Sequence, residues 1–117
     1  MEMLFIEYPK CSTCKKAKKF LKDNGASFEE RHIVENNPTK EELLKWMEMS
    51  GLEPKKFFNT SGILYREKNL KDKVKNITKE EAAEILSENG MLVKRPILIN
   101  DNKILLGFKE DTYKEII

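Results

Sequence analysis

The spacing of apolar and polar residues changes twice over the first 34 residues of the chain. A short apolar run at Met3–Ile6 is closed by Pro9, which is typical of a buried strand. Over about 12–24 the apolar side chains recur at helical spacing, and Asn24-Gly25 supplies a stop signal. An extended pattern returns at 27–34, where the predicted core contacts are Phe28, Ile33, Val34 and the aliphatic stem of Arg31. Strand, helix, strand of this length predicts a βαβ unit with parallel strands.

Helical spacing dominates the middle of the chain, and two helices there begin with the same signals. Thr39 can cap the first helix, with a glutamate three residues on that completes a capping box, and Ser50-Gly51 ends it. Thr78 begins the second helix in the same way, and Asn89-Gly90 ends it. The segment 54–74 between them has turn residues but no long period, and predicts short helical pieces. The predicted buried faces consist of Leu43, Leu44, Trp46 and Met47 in the first helix, and Ala82, Ile85 and Leu86 in the second.

The last part of the chain returns to strand patterns. Two short apolar runs, 96–100 and 103–108, flank Asp101-Asn102, which is typical of a two-residue hairpin turn, and a short helix follows them. The order is therefore βαβ, a helical block over 38–92, and then ββα. We predict an α/β fold with a four-stranded mixed sheet, in one domain over 1–117 that contains the helical block as an insertion.

Composition and charge exclude several classes of protein. A chain of 117 residues can bury an ordinary core without disulfides or metal to hold it. Its 22 Lys and Arg nearly balance 20 Asp and Glu, and they lack the concentrated basic face of a nucleic-acid-binding protein. No segment approaches the roughly 20 apolar residues of a membrane span, and the start is too acidic for a signal peptide. We therefore expect a cytoplasmic protein that binds neither a membrane nor nucleic acid directly.

Both cysteines belong to one motif, Cys11-Ser12-Thr13-Cys14, between the first strand and the first helix. A zinc site commonly needs four ligands, and the single histidine, His32, does not complete such a set, so we expect no bound metal. A disulfide across this short loop would restrain little chain entropy, and it would not persist in a reducing cytoplasm. Two unreactive buried thiols and a redox pair remain as interpretations.

The redox interpretation rests on the position of the motif at a helix N-terminus. Unpaired backbone N–H groups and the helix dipole stabilise a thiolate there, and Lys15 and Lys16 add positive charge in the same turn. Cys11 precedes the helix, so it is the predicted exposed nucleophile. Cys14 lies one turn in, on the apolar face, so it is the predicted resolving cysteine.

Three separated stretches resemble the arsenate-reductase-like (ArsC/Spx) family of the thioredoxin superfamily. They are YPKCSTCKKAKKFL at 8–21, FNTSG at 58–62 followed by YRE at 65–67, and KRPILI at 94–99 followed by GFKED at 107–111. The resemblance extends over essentially the whole chain, including the helical block. It implies a thioredoxin-like fold, in a family that includes glutaredoxin-coupled arsenate reductases and Spx-type transcription regulators.

The resemblance also implies roles for individual residues. Cys11 matches the family's essential cysteine, and Arg95 matches the arginine that precedes the family's proline. Pro96 is implied to be cis and to face the cysteine. The planar fork of Arg95 could hold an arsenate, sulfonate or carboxylate with two hydrogen bonds. The predicted anion- or substrate-binding positions are Ser12, Thr13, Lys15, Arg95 and Pro96.

This sequence departs from the arsenate reductases of the family in two respects. Those enzymes usually have serine at the position of Cys14, and they rely on three arginines. Ser61 stands where one of these arginines is expected. A second arginine is expected near the end of the last strand, and this chain has no arginine there. Each lost charge-assisted hydrogen bond is worth about 1.5–3 kcal/mol, which argues against efficient arsenate reduction. The two cysteines resemble instead the Spx-type branch, whose members carry this motif as a redox switch and bind RNA polymerase.

We therefore expect a thiol–disulfide oxidoreductase or redox-responsive protein that uses Cys11 and Cys14. Its substrate would be a thiol or disulfide, with glutathione or arsenate as candidates. No bound cofactor is expected, and the reductant would be glutathione or a thioredoxin or glutaredoxin partner. One alternative is a glutathione- and glutaredoxin-coupled arsenate reductase. The other is an Spx-type regulator that binds the alpha subunit of RNA polymerase.

Overall fold

The computed structural model describes residues 3–117. The strands are β1 (Met3–Glu7), β2 (Phe28–His32), β3 (Ile97–Asn100) and β4 (Lys103–Leu106). The helices are α1 (Ser12–Asp23), α2 (Lys40–Ser50), α3 (Ile63–Glu67), α4 (Leu70–Lys73), α5 (Lys79–Glu88) and α6 (Glu110–Ile116). Short 3-10 turns occur at Pro54–Phe57, Val74–Asn76 and Gly90–Leu92.

The four strands form one mixed sheet in the order β2-β1-β3-β4. β1 and β2 are parallel and are joined by α1, which is the predicted βαβ unit. β3 runs antiparallel to both β1 and β4, and β3 and β4 form the predicted hairpin. The predicted α/β fold with a four-stranded mixed sheet is therefore confirmed.

The chain divides into two compact units. The first extends through His32 and resumes at Arg95–Ile117, so it contains the sheet, α1 and α6. The second, Ile33–Lys94, contains the remaining helices. The predicted insertion at 38–92 falls within the second unit, while a single domain over 1–117 stays a prediction.

The core of the first unit lies between the sheet and its helices. Its buried members come from β1, α1, β3 and α6: Met3, Phe5, Ala17, Leu21, Leu98 and Tyr113. Side chains two residues apart in a strand share a face, so Glu7 belongs to the same face of β1 as Met3 and Phe5. Glu7 is the buried carboxylate of this face, with 6% of its surface exposed. The hydroxyl of Tyr113 donates to the carbonyl of Gly107 at 3.1 Å.

The second unit is built on α2 and α5, which begin as the sequence predicted. Thr39 and Glu42 form the complete capping box of α2, and the Thr78 hydroxyl accepts the N–H of Glu81 at the start of α5. A β-carbon at Gly90 would collide with the carbonyl oxygen of Ile33, so only glycine fits at this position.

Several predicted boundaries differ from the structure. Val34 is exposed, because the chain turns directly after His32 and the strand alternation does not continue to it. β3 begins at Ile97 rather than at residue 96, and Gly107 turns the chain away at the end of β4 with a φ of 77°. Ala83, which the predicted face of α5 omitted, is fully buried. None of the helices described in 3–117 is long and apolar enough to cross a membrane.

Candidate active site

Cys11 is held at the junction of β1 and α1 by hydrogen bonds on both sides. Its N–H donates to the carbonyl of Tyr8 at 2.9 Å, and its carbonyl accepts the N–H of Lys15 at 3.1 Å, in the first turn of α1. The backbone of Cys11 is extended, with φ −85° and ψ 124°, which is the usual conformation of a residue that caps a helix. Cys11 therefore stands where the sequence predicted, immediately before the helix.

The sulfur of Cys11 caps α1. Its Sγ atom accepts the backbone N–H of Cys14 at 3.4 Å, in the role that a serine or aspartate oxygen usually has at this position. Cys11 is half-buried, so its sulfur is both hydrogen-bonded and open to a reactant. This geometry combines an anion-stabilising helix end with access from solvent.

Cys14 lies one turn into α1 and is fully buried. It shares the inner face of the helix with Ala17 and Leu21, which are also fully buried. Its Sγ atom accepts the backbone N–H of Tyr8 at 3.5 Å, so the end of β1 contacts the buried sulfur. The predicted difference in exposure between the two cysteines is confirmed.

The environment lowers the pKa of Cys11 below its ordinary value. Burial acts in the opposite direction and is the largest single effect, but it is outweighed by several favourable contributions. These are hydrogen bonds from the backbone and thiol of Cys14, the charge of Arg95, and the backbone N–H of Thr13. Lys15 and Lys16, from which the sequence predicted the positive charge, are exposed side chains, where water and salt screen such charges.

Burial raises the pKa of Cys14 to about 12. The N–H of Tyr8 lowers this pKa, whereas the hydrogen bond and charge of Cys11 and the carboxylate of Glu7 raise it further. The two sulfurs are thus distinct: one favours the thiolate and the other favours the neutral thiol. This is the division of properties expected of a nucleophile and a resolving cysteine.

Arg95 is brought to the cysteines by strand pairing. β1 and β3 are antiparallel, with Ile6 opposite Ile97, so Tyr8 and Arg95 each lie two residues beyond this pair, at the same end of the two strands. The Cζ atom of Arg95 lies 5.2 Å from the centroid of the Tyr8 ring. The Arg95–Pro96 bond is cis, as the resemblance implied.

Two residues at this site were missed by the sequence analysis. Tyr8 contacts both cysteines through its backbone and Arg95 through its ring. Glu7 is buried, and burial together with Glu30 raises its pKa, while Lys18 and His32 lower it. Strand alternation from Met3 and Phe5 would have placed Glu7 on the inner face. No local sequence feature indicates that Tyr8 belongs to the site.

The other predicted positions are distributed as follows. Ser12 and Thr13 are exposed in the first turn of α1, and their assignment to substrate binding stays a prediction, as does that of Lys15, Arg95 and Pro96. Within residues 3–117, no group of three His, Cys, Asp or Glu side chains could hold a metal ion.

Of the departures from the family pattern, Cys14 lies in the first unit and Ser61 in the second, where Ser61 is exposed. The hydroxyl of Ser61 donates to the side-chain oxygen of Asn59 at 3.4 Å. Ser61 therefore offers a neutral hydroxyl at the position where the arsenate reductases have a guanidinium.

Curated relatives of the chain are bacterial proteins of similar length. YusI of Bacillus subtilis (strain 168), an uncharacterized protein, is 50% identical over 115 residues, which are 98% of each chain. The regulatory protein MgsR of the same organism is 32% identical over 107 residues, which cover 92% of this chain and 83% of MgsR. The global transcriptional regulator Spx of Streptococcus agalactiae (strain ATCC BAA-611 / 2603 V/R) is 28% identical over 117 residues, which cover 100% of this chain and 83% of Spx.

Solved structures agree with the fold. An ArsC family related protein from Bacteroides fragilis is 47% identical and superposes with a TM-score of 0.95, over 100% of this chain and 98% of that one. A glutaredoxin from Archaeoglobus fulgidus, 19% identical, has a TM-score of 0.50 over 98% of this chain and 84% of that one. The predicted thioredoxin-like fold is therefore confirmed. The ArsC family model matches residues 6–116, and the chain belongs to the ArsC family.

Proposed function

We propose that this protein is a cytoplasmic thiol–disulfide oxidoreductase in which Cys11 is the nucleophile and Cys14 the resolving cysteine. The observation that carries the proposal is the contrast between the two sulfurs. Cys11 is accessible and has a lowered pKa, whereas Cys14 is buried and has a raised one. A thiolate is the species that attacks disulfides, so the contrast supports these two roles.

In the first step the Cys11 thiolate attacks one sulfur of the substrate disulfide. A bond forms between that sulfur and Cys11 Sγ, the substrate S–S bond breaks, and the other half leaves as a thiolate. The backbone N–H of Ser12 and the hydroxyl of Thr13, with Lys15 and the guanidinium of Arg95 next to Pro96, would bind a carboxylate of the substrate. The glutathione half of a mixed disulfide with another thiol carries such carboxylates, so a glutathione mixed disulfide is the candidate substrate that fits this chemistry.

In the second step Cys14 resolves the mixed disulfide. Once Cys11 is bonded to substrate it has lost its negative charge, which is one of the causes that raise the pKa of Cys14. Cys14 can then attack Cys11 Sγ, the bond between Cys11 Sγ and the substrate sulfur breaks, and the proton of Cys14 passes to the substrate thiolate that leaves. The substrate gains two electrons, and the two cysteines lose two as they form a disulfide. Glutathione, or a thioredoxin or glutaredoxin partner, would return these electrons.

The decisive experiment compares two variants with one cysteine each. In Cys14→Ser, the rate of Cys11 alkylation by iodoacetamide is followed against pH, and we expect a half-point below the ordinary value of about 8.5. In Cys11→Ser, the remaining buried Cys14 should react slowly, with a half-point above that value. A half-point for Cys11 at or above 8.5 would remove the activated thiol and with it the proposal.

Turnover provides a second arm of the test. With a glutathione mixed disulfide as substrate, Cys11→Ser should lose activity altogether. Cys14→Ser should accumulate protein bearing one glutathione, which mass spectrometry detects as a mixed disulfide at Cys11. Arsenate has less support as a substrate, because Ser61 offers no guanidinium. Added to a glutathione- and glutaredoxin-coupled assay, arsenate should therefore leave the consumption of reducing equivalents unchanged.

A second candidate is a redox-switched regulator, favoured by the 32% identity to the regulatory protein MgsR. In this role the cysteines would form a disulfide without turnover, and the two redox states would differ in affinity for RNA polymerase. Immobilised C-terminal domain of the polymerase alpha subunit should then retain one state more strongly than the other. A Cys11→Ser, Cys14→Ser double variant is the matched control, since it cannot be oxidised. Equal retention of both states, or none, would exclude the regulator.

A further inference from the structure

We propose that Tyr8 is a positioning residue: its aromatic ring holds the guanidinium of Arg95 beside Cys11, and thereby favours reaction with anionic disulfides. The inference rests on the proposed function, because it concerns how the nucleophile of that reaction is supported. It adds a residue to which neither the motif nor the family resemblance assigned a role.

The first support is the geometry of the ring and the guanidinium. The Cζ atom of Arg95 is 5.2 Å from the centroid of the Tyr8 ring, within the range of about 6 Å over which a cation is attracted to an aromatic face. Arginine is suited to this contact because its guanidinium is planar and weakly hydrated, and can stack while its N–H groups remain available to an anion.

The second support is that Tyr8 is itself fixed in place. Its carbonyl accepts the N–H of Cys11 at 2.9 Å, and its N–H donates to Cys14 Sγ at 3.5 Å. Its ring meets the ring of His32 edge to face, with centroids 5.7 Å apart and planes at 89°. A ring held on these sides is a rigid support for a long, flexible arginine.

The third support is the effect that Arg95 has on the nucleophile. The charge of Arg95 contributes to the lowered pKa of Cys11. Because the energy of a charge pair falls with distance, a guanidinium that moved away from Cys11 would stabilise the thiolate less. It would also no longer be held where an incoming carboxylate meets Cys11. The ring thus acts on Cys11 through Arg95, not by contact with the substrate.

The test changes the charge distribution of the ring while preserving its shape. Position 8 is filled in turn by phenylalanine and by its mono-, di- and trifluorinated analogues, in a Cys14→Ser background. Each variant is reacted with an anionic disulfide, 5,5′-dithiobis(2-nitrobenzoate), and with a neutral one, 2-hydroxyethyl disulfide. Tyr8→Phe is the reference of the series, since it retains the aromatic face without the hydroxyl. Progressive fluorination should lower the ratio of anionic to neutral rates by about two- to fivefold, because it weakens the attraction of a cation to the ring.

A matched series separates this role from a structural one. In an Arg95→Met background the same ring substitutions should leave the rate ratio unchanged, since the group that the ring holds is gone. A ratio that falls equally with and without Arg95 would assign the effect to packing and overturn the inference. A constant ratio in the Arg95 series, with Cys11 still activated, would overturn the inference and leave the proposed function intact. An unactivated Cys11 in the Cys14→Ser parent would overturn both.

Discussion

The backbone N–H of Tyr8, directly after the last residue of β1, donates to the Sγ atom of Cys14 at 3.5 Å. The same residue accepts the N–H of Cys11 through its carbonyl. One peptide segment at the end of a strand therefore holds both sulfurs of the motif. The two cysteines differ in chemistry because Cys14 is buried, whereas Cys11 receives hydrogen bonds at the start of α1 and the charge of Arg95.

We expect the thiol of Cys14 to activate Cys11 by donating a hydrogen bond to it. Cys14→Ala removes this donor, whereas Cys14→Ser retains one. The pKa of Cys11 should therefore be higher in the alanine variant than in the serine variant, and its alkylation at pH 7 should be about three- to tenfold slower, because a hydrogen bond to a charged group is lost. The pH dependence of alkylation in the two variants measures the difference. Equal half-points would show that the thiol of Cys14 does not contribute to the activation of Cys11.

Alkaline pH should destabilise the reduced protein through Cys14. Since folding raises the pKa of Cys14 to about 12, the folded state favours the neutral thiol. This contribution to stability is complete below the ordinary pKa and is lost as the pH rises towards 12. Between pH 8.5 and 10 the loss should be about 1.5–2 kcal/mol. Urea unfolding of the Cys11→Ser variant at these two pH values measures the loss in the free energy of unfolding. If the double variant Cys11→Ser, Cys14→Ala shows the same loss, the effect does not come from Cys14.

We expect the buried carboxylate of Glu7 to lower the free energy of unfolding at neutral pH. Burial raises its pKa, so the folded state favours the protonated carboxyl, and this contribution is lost as the pH rises through the folded pKa. Glu7→Gln should therefore raise the free energy of unfolding at pH 7 by about 0.5–1 kcal/mol, and by less at pH 4. Glu29→Gln is the control for an exposed carboxylate on the neighbouring strand. A gain from Glu7→Gln that is equal at both pH values would rule out ionisation as the cause.

Gly90 should be the glycine of the second unit that least tolerates a side chain. Gly90→Ala forces a β-carbon against the Ile33 carbonyl oxygen, and should lower the free energy of unfolding by about 2–4 kcal/mol. Gly51→Ala is the matched control, because Gly51 has a φ of 67° but open space around its β-carbon position. That variant should cost only about 1 kcal/mol. Thermal or urea unfolding would contradict this account if the order of the two costs were reversed.

Much of the fold could be predicted because its signals are local. Thr39 and Thr78 mark helix starts by their own hydrogen bonds, and the hairpin at Asp101-Asn102 follows from two turn residues between apolar runs. The exposures of Cys11 and Cys14 follow in the same way from helical spacing. Val34 was misassigned because alternation cannot indicate where a strand stops pairing, and here the chain turns after His32.

The part of the site that could not be predicted depends on contacts distant in sequence. Arg95 meets Tyr8 only because β3 pairs antiparallel with β1, and no local pattern specifies that pairing or its register. Without it, Lys15 and Lys16 were the natural source of positive charge, since they follow the motif directly. The actual contribution comes from Arg95, two residues before β3.

The atom that reacts is also the atom that closes the end of α1. When Cys11 Sγ enters a disulfide, it becomes neutral and a weaker acceptor. The hydrogen bond that it accepts from the Cys14 amide is therefore weakened. Oxidation should then loosen the opening turn of the helix while the sheet beneath it is unchanged, and hydrogen exchange at the Cys14 amide should accelerate. In this way the chain can report its oxidation state through the mobility of its backbone, a signal that another protein could sense without any change of fold.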